Sequence, residues 1–210
     1  MKETSKGKGK RIWTLEHTFP WILTIGGGIG FIASFALTYD KIKIAADPHY
    51  IPNCNFNPIL SCGSVIKTWQ ASALGFPNSF IGLGGFAVVI TIGVVILAGL
   101  DPHKLQRWFW WGLNLGGLLG TILVSWLQYQ TIYVIHALCP WCMVVWTVTV
   151  PIFLYTTLYN LRVKFVPTPE AIKKPAAYLE KHHGDVLVVW ALIILAMITT
   201  HFWYYWKTLI

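Results

Sequence analysis

Five long apolar stretches that contain no charged residue are the feature that most constrains the fold of this chain. Crossing about 30 Å of hydrocarbon at 1.5 Å per residue takes roughly 20 residues of α-helix. The stretches have about that length and lie near residues 21–38, 80–100, 109–128, 141–161 and 186–206. The sequence therefore predicts an all-α integral membrane protein in which residues 1–210 form one multi-pass domain in the lipid bilayer.

The distribution of basic residues predicts the orientation. Lys and Arg number 16 against 8 Asp and Glu, an excess that nucleic-acid-binding proteins share. Twelve of the 16 lie in the N-terminal segment, in residues 101–107 and in residues 162–185, which are alternate loops. Cytoplasmic loops carry such an excess, so the N-terminus is predicted to be cytoplasmic and the C-terminus to lie outside the cell membrane. This distribution argues against a nucleic-acid partner.

Basic residues before the first stretch also occur in cleavable secretory signals. The first stretch is longer than the 7–15 apolar residues of such a signal, and no clear small-x-small cleavage site precedes Asp40. An uncleaved anchor is therefore expected. After cleavage, four spans would remain and the loop after Asp40 would still face outside.

All four cysteines are predicted to lie on the extracytoplasmic side. Cys54 and Cys62 are in the long first outer loop, while Cys139 and Cys142 begin the fourth stretch at its outer end. Disulfides form and persist in that compartment. Redox chemistry is therefore the favoured interpretation of these residues.

Cys139-Pro140-Trp141-Cys142 is a Cys-x-x-Cys motif at a predicted helix N-terminus. Proline suits the first helical position because its missing N–H costs nothing there, and the free amides and dipole of the helix stabilise a thiolate. A redox pair is favoured, with a structural disulfide and half of a metal site as alternatives. No metal is predicted, because zinc requires four closed ligands and a second Cys-x-x-Cys motif is absent from the sequence.

The other two cysteines are predicted to have unlike surroundings. Three nearby prolines place Cys54 on an exposed, irregular loop. Cys62, Val65, Ile66 and Trp69 recur at helical spacing and predict one apolar face of a short helix on the outer rim. The contrast favours a relay by thiol–disulfide exchange over a structural bridge, which would contribute only about 2.6 kcal/mol.

A relay needs a final electron acceptor. The sequence carries no dinucleotide fingerprint, no P-loop and no pair of intramembrane histidines suited to haem. A quinone dissolved in the bilayer accepts two electrons and two protons, and the apolar interior is suited to hold it. By elimination, the acceptor is predicted to be a membrane quinone of the menaquinone or ubiquinone type.

Glycines recur at four-residue spacing in two of the stretches. Gly26 and Gly30 form one set, and Gly112, Gly116 and Gly120 form the other. Such spacing lets helix backbones approach closely in a membrane. Both sets are therefore interpreted as helix-packing positions.

The order of the motifs resembles the vitamin K epoxide reductase family, and bacterial members in particular. Over about residues 20–165, a Cys-x7-Cys loop is followed by Gly63-Ser64-Val65-Ile66-Lys67-Thr68-Trp69, by Gly75-Phe76-Pro77-Asn78-Ser79 and by Cys-Pro-Trp-Cys. The resemblance implies a four-helix bundle around a quinone site, a peripheral fifth helix, and a half-helix of the outer loop that covers the site. Many bacterial relatives carry a fused thioredoxin-like domain, which is not expected here, so the implied partner is a separate thioredoxin-fold protein on the outer face.

The resemblance also implies a role for each cysteine. Cys54 would exchange with the partner protein, and Cys62 would receive its electrons and attack Cys139. Cys142 would then reduce the quinone.

Three further positions are implied to lie near the quinone. Asn78 occupies the place of the family's quinone-binding Asn, Thr68 matches a Ser or Thr near the redox centre, and Trp146 stands where the vertebrate enzyme has Tyr. An indole offers an N–H donor but no phenolic hydroxyl. This difference from the vertebrate enzyme is expected to change the quinone preference and, above all, the capacity for epoxide reduction. His136 is either a group that stabilises the Cys139 thiolate or an interfacial loop histidine.

Two other functions compete with this prediction. One is a quinone or quinone-epoxide reductase of the same fold that uses thiols as its reductant. The other is a non-catalytic membrane scaffold or metal-binding protein that uses the cysteines as bridges or ligands.

Overall fold

The computed structural model describes residues 15–163 and 170–207, and five helices in that part of the chain are long and apolar enough to cross a membrane. Helix α1 starts as Leu15–Trp21, passes through a π-helical turn and continues as Gly27–Ala46. The other helices are α2 (Cys62–Ile66), α3 (Ser79–Leu97), α4 (Arg107–Gln130, followed by a π-helical turn at Thr131–Ile135), α5 (Pro140–Val163), α6 (Glu170–Lys181), α7 (His183–His201) and α8 (Trp203–Trp206). The predicted all-α membrane class and its five spans are confirmed.

Helix α1 is longer than the first apolar stretch. It continues to Ala46, two turns beyond the predicted end at residue 38. In this extension, Asp40 is buried and the Lys41 ammonium donates to the carbonyl of Ile66 at 2.7 Å. Contacts with the outer loop therefore stabilise a helical segment that hydropathy alone does not identify.

Helices α1, α3, α4 and α5 form the bundle. Helix α1 packs against α3 and α5, and α4 packs against α5. At one end of the bundle the rings of Phe19 and Tyr159 stack with centroids 4.3 Å apart, beside the fully buried Trp110. Gly30 lies so close to α3 that a Cβ atom there would come within 2.5 Å of the Phe86 ring. The close-packing prediction is confirmed at this position.

Only the last glycine of the second series lies close to another helix. No atom outside α4 lies within 4 Å of a Cβ placed on Gly112 or Gly116, and the nearest one at Gly120 is 3.8 Å away. These three residues line the central cavity described below. The packing interpretation was wrong for Gly112 and Gly116, because their missing side chains leave room inside the bundle, while Gly120 makes an ordinary contact with α5.

Helix α7 lies at the periphery of the bundle, as the family resemblance implies. None of the residues in its most apolar window is buried. Its C-terminal end packs inward, where Ile198 and the following Phe202 join a cluster with Ile132 and Trp146. At its start, the ring of His183 lies edge-on to that of Tyr155 of α5, with centroids 5.4 Å apart. The fifth spanning helix therefore docks through its two ends.

Candidate functional site

The four cysteines converge between the outer loop and the first turn of α5. Cys54 and Cys62 form a disulfide, while Cys139 and Cys142 carry free thiols. The Sγ atoms of Cys62 and Cys139 lie 3.4 Å apart, and both residues are fully buried. Reacting atoms in a productive geometry stand about 3–3.5 Å apart, so this arrangement is suited to exchange between the two pairs.

A short backbone bridge brings the two pairs together. The amide of Leu138 donates to the carbonyl of Ile59 at 2.7 Å, and the amide of Ser61 donates to the carbonyl of Leu138 at 2.9 Å. Cys62 and Cys139 are the next residues on the two bridged segments. These two hydrogen bonds therefore fix the sulfur–sulfur approach from the backbone.

Polar side chains hold the loop around Cys62. Ser61 caps α2 by accepting a hydrogen bond from the amide of Ser64 at 3.2 Å. The Oδ1 atom of Asn55 accepts from the amide of Gly63 at 2.9 Å and from the Ser61 hydroxyl at 3.2 Å. Cys62 consequently starts a fixed half-helix over the bundle.

The Cys-x-x-Cys motif opens α5 as predicted, with Pro140 as the first helical residue. The backbone amide of Cys142 points at the Sγ atom of Cys139 from 3.4 Å. An amide N–H and the positive end of a helix dipole both favour a thiolate. Cys139 is therefore the sulfur of this pair that the helix terminus stabilises.

Two expectations about the outer loop were wrong. Cys54 is not exposed: only 6% of its surface is accessible, because the extension of α1 places Asp40 against it. Trp69 does not continue the apolar face of the half-helix, since α2 ends at Ile66 and Trp69 is 68% exposed. Its ring instead lies 6.0 Å from that of Trp126.

A cavity of about 890 Å³ opens beside Cys142 between α1, α3, α4 and α5. Its walls are mainly aliphatic and aromatic, with the polar side chains of Lys41, Gln70 and Asn78 among those lining it. Pockets for small organic ligands are typically about 300–1,000 Å³, apolar, and provided with a few orienting polar groups. The cavity thus fits a ring-shaped, lipid-soluble molecule placed next to a thiol.

Two of the three predicted quinone contacts line this cavity. Trp146 lies on its wall and is 3% exposed. Asn78 donates one amide hydrogen to the carbonyl of Gln70 at 2.7 Å, and its buried Oδ1 atom has no hydrogen-bond partner. Thr68 is not among the lining residues, and its hydroxyl donates to the carbonyl of Val65 at 2.7 Å.

Three residues of the site, Asp40, Lys41 and Gln70, were not among the predicted site residues. Asp40 and Lys41 lie two and three residues after the end of the first apolar stretch, and Lys41 lies four residues after the cavity-lining Leu37. Residues at i and i+4 share one face of an α-helix, so this spacing could have predicted that Lys41 faces the same side as Leu37. Gln70 is 5% exposed and gave no signal, because the turn that buries it depends on contacts with Asn78.

His136 lies next to the fifth spanning helix. Its backbone adopts a left-handed conformation with φ of 57°, and its ring centroid is 5.0 Å from that of His201. Whether it acts on Cys139 stays a prediction. Among the residues described, no group of three or more His, Cys, Asp or Glu side chains is placed to hold a metal ion.

The chain matches a known protein family. A model described as that of the vitamin K epoxide reductase family matches residues 21–157. The match covers more than half of the chain and includes all four cysteines. A search of curated proteins found no match to the chain.

Proposed function

Because this chain belongs to the vitamin K epoxide reductase family, we propose that it is a membrane thiol:quinone oxidoreductase that reoxidises a separate thioredoxin-fold protein on the extracytoplasmic side. Family membership makes the chain an oxidoreductase, and its five spanning helices make it a multi-pass membrane protein. The observation that carries the proposed relay is the 3.4 Å separation between the sulfurs of Cys62 and Cys139.

The proposed electron path is a series of thiol–disulfide exchanges. A thiolate of the partner attacks Cys54, and Cys62 leaves as a thiolate. The second thiol of the partner then displaces Cys54, which completes the partner's disulfide. Cys62 next attacks Cys139 of the oxidised Cys139–Cys142 pair, and Cys142 leaves. Finally, Cys54 attacks Cys62 and releases Cys139, so that two electrons have moved to the pair at the cavity.

The quinone is the second substrate, of the menaquinone or ubiquinone type, and takes up two electrons and two protons. Cys142 and Trp146 line the cavity proposed to hold it. Asn78 has a second amide hydrogen to donate to a quinone carbonyl, and its unpartnered Oδ1 atom can accept the hydroxyl of a quinol. The aliphatic walls exclude water from the reacting thiol.

Reconstitution tests the proposal. Purified protein in lipid, a reduced thioredoxin-fold protein and a quinone should give quinone reduction that disappears when any one of the four cysteines is changed to Ala. Ser72→Ala, an exchange of similar size on the outer-loop turn, is the matched control and should retain activity. Turnover of the protein partner at the wild-type rate by Cys54→Ala and Cys62→Ala would show that the relay is wrong.

A quinone-epoxide reductase is the second candidate, supported by the description of the matching family. Trp146 lines the cavity with an indole in place of a phenol. Direct measurement of epoxide turnover with a dithiol as reductant separates the two functions. A Cys139–Cys142 pair that never changes its redox state in cells would instead support a scaffold.

A further inference from the structure

We propose that Asp40 is a catalytic acid–base residue for Cys54, which accepts the thiol proton when Cys54 attacks Cys62 and returns it in the reverse step. The inference rests on the proposed function and assigns a residue that the cysteine motifs do not include. It concerns the closing step of the relay, after the electrons have passed to Cys139.

The position of the carboxylate carries this inference. The Oδ2 atom of Asp40 lies 3.6 Å from the Sγ atom of Cys54, within reach for a proton transfer to sulfur. Asp40 is 7% exposed and Cys54 is 6% exposed. A proton released from this sulfur therefore meets the carboxylate before it meets bulk water.

A second contact orients the carboxylate. The hydroxyl of Tyr50 donates to Oδ1 of Asp40 at 3.1 Å, which leaves Oδ2 facing Cys54. Desolvation, and then the hydrogen bond to Asp40, raise the pKa of the Tyr50 phenol. The phenol therefore remains protonated near neutral pH and continues to hold the other oxygen.

The neighbouring charged groups have other partners. The ammonium of Lys41 donates to the carbonyl of Ile66 at 2.7 Å, and that of Lys43 lies 5.5 Å from the centre of the Tyr39 ring. The carboxylate of Asp47 is exposed and accepts from the backbone of the loop. Of the charged groups named here, Asp40 is therefore the one that contacts the sulfur of Cys54.

The step balances in atoms and electrons. The Cys54 thiol gives its proton to Oδ2 of Asp40, and its sulfur attacks Cys62 in the Cys62–Cys139 disulfide. The Cys54–Cys62 bond forms, the Cys62–Cys139 bond breaks, and Cys139 leaves with the electron pair as a thiolate. The protonated Asp40 then loses its proton to the aqueous phase.

A two-phase reaction isolates this step. Fully reduced protein is mixed with excess ubiquinone-1, and quinone absorbance is followed. The first phase is oxidation of Cys139 and Cys142, and the second requires exchange with Cys54 and Cys62. In Asp40→Asn the first phase should keep its rate and amplitude, and the second should slow about 100-fold near neutral pH, the usual range for loss of a general base.

The pH profile separates proton transfer from a structural effect. The wild-type second phase should change little between about pH 6 and pH 8. In Asp40→Asn it should rise about tenfold per pH unit and approach the wild-type rate near pH 9, where a cysteine ionises without a base. Asp40→Glu keeps a carboxylate and should keep the shallow profile. Asp47→Asn, an equal charge change at an exposed site, should match the wild type in both phases.

The possible outcomes are distinguishable. A second phase in Asp40→Asn that equals the wild type, or that is slowed equally at every pH, would overturn the role of Asp40 while the first phase still upholds quinone reduction. A steep profile in Asp40→Glu would overturn it as well. Absence of both phases in the wild type would overturn the proposed function, and this inference with it.

Discussion

At the scale of single residues, Asn78 and the sulfur pair Cys62 and Cys139 are the most informative positions. Asn78 has a buried oxygen without a partner at the edge of an apolar cavity. A buried polar group in that condition costs free energy unless a ligand satisfies it. The sulfur pair, at 3.4 Å, is the contact on which the proposed relay depends.

Changing Asn78 to Ala should lower the catalytic efficiency with the quinone while having a smaller effect on the stability of the fold. Loss of the amide should lower kcat/KM for the quinone about tenfold, or about 1.4 kcal/mol, the size of a typical buried hydrogen bond. Steady-state kinetics at varied quinone concentration measures it. Asn114→Ala, which removes an amide bonded to Thr157 elsewhere in the bundle, should leave that ratio unchanged, and equal losses in both variants would contradict the assignment.

The two inner sulfurs should cross-link without their mates. The double variant Cys54→Ala, Cys142→Ala leaves Cys62 and Cys139, and mild oxidation should join them within one chain because their sulfurs are already in contact. Alkylation followed by peptide mass spectrometry detects the product. The complementary variant that retains Cys54 and Cys142 is the control; equal cross-linking in both would refute the observed pairing.

At the scale of elements, the extension of α1 and the small residues of α4 shape the site. The extension buries Cys54, and the glycines of α4 leave the space in which the cavity forms. Both features lie in elements whose existence the sequence predicts well. What each feature does at the site, however, depends on which residues of other elements pack beside it.

A larger side chain should affect quinone binding at Gly116 and protein stability at Gly30. Gly116→Leu should fill the cavity and raise KM for the quinone about tenfold with little change in thermal stability, because no atom outside α4 lies within 4 Å of that position. Gly30→Ala should lower stability by about 1–3 kcal/mol, because its Cβ would overlap the ring of Phe86. Thermal unfolding in detergent and quinone kinetics measure the two effects, with Gly116→Ala as the neutral control.

At the scale of the whole molecule, the orientation of the chain in the membrane determines the compartment in which the cysteines lie. The basic residues are concentrated in alternate loops, which predicts that the loop at residues 101–107 is cytoplasmic and the cysteine loop extracytoplasmic. The relay needs this orientation, because disulfide-forming partners work outside the cytoplasm.

Labelling of two exposed histidine positions tests the orientation. In a cysteine-free background, a membrane-impermeant maleimide applied to spheroplasts should label His49→Cys and should label His103→Cys only after lysis, since both positions are exposed but lie on opposite sides. Equal labelling of the two in intact spheroplasts would contradict the predicted topology.

Hydropathy and motif spacing were enough to predict the membrane class, the five spans, the helix start at Pro140 and the Cys54–Cys62 pair, which forms a disulfide. These follow from local rules, since hydropathy sets the spans and proline marks a helix N-terminus. Only the tertiary structure decided that Cys54 is buried against Asp40, that the α4 glycines line a cavity, and that Cys62 meets Cys139. Each of these depends on contacts between residues far apart in the chain, which neither periodicity nor motif spacing encodes.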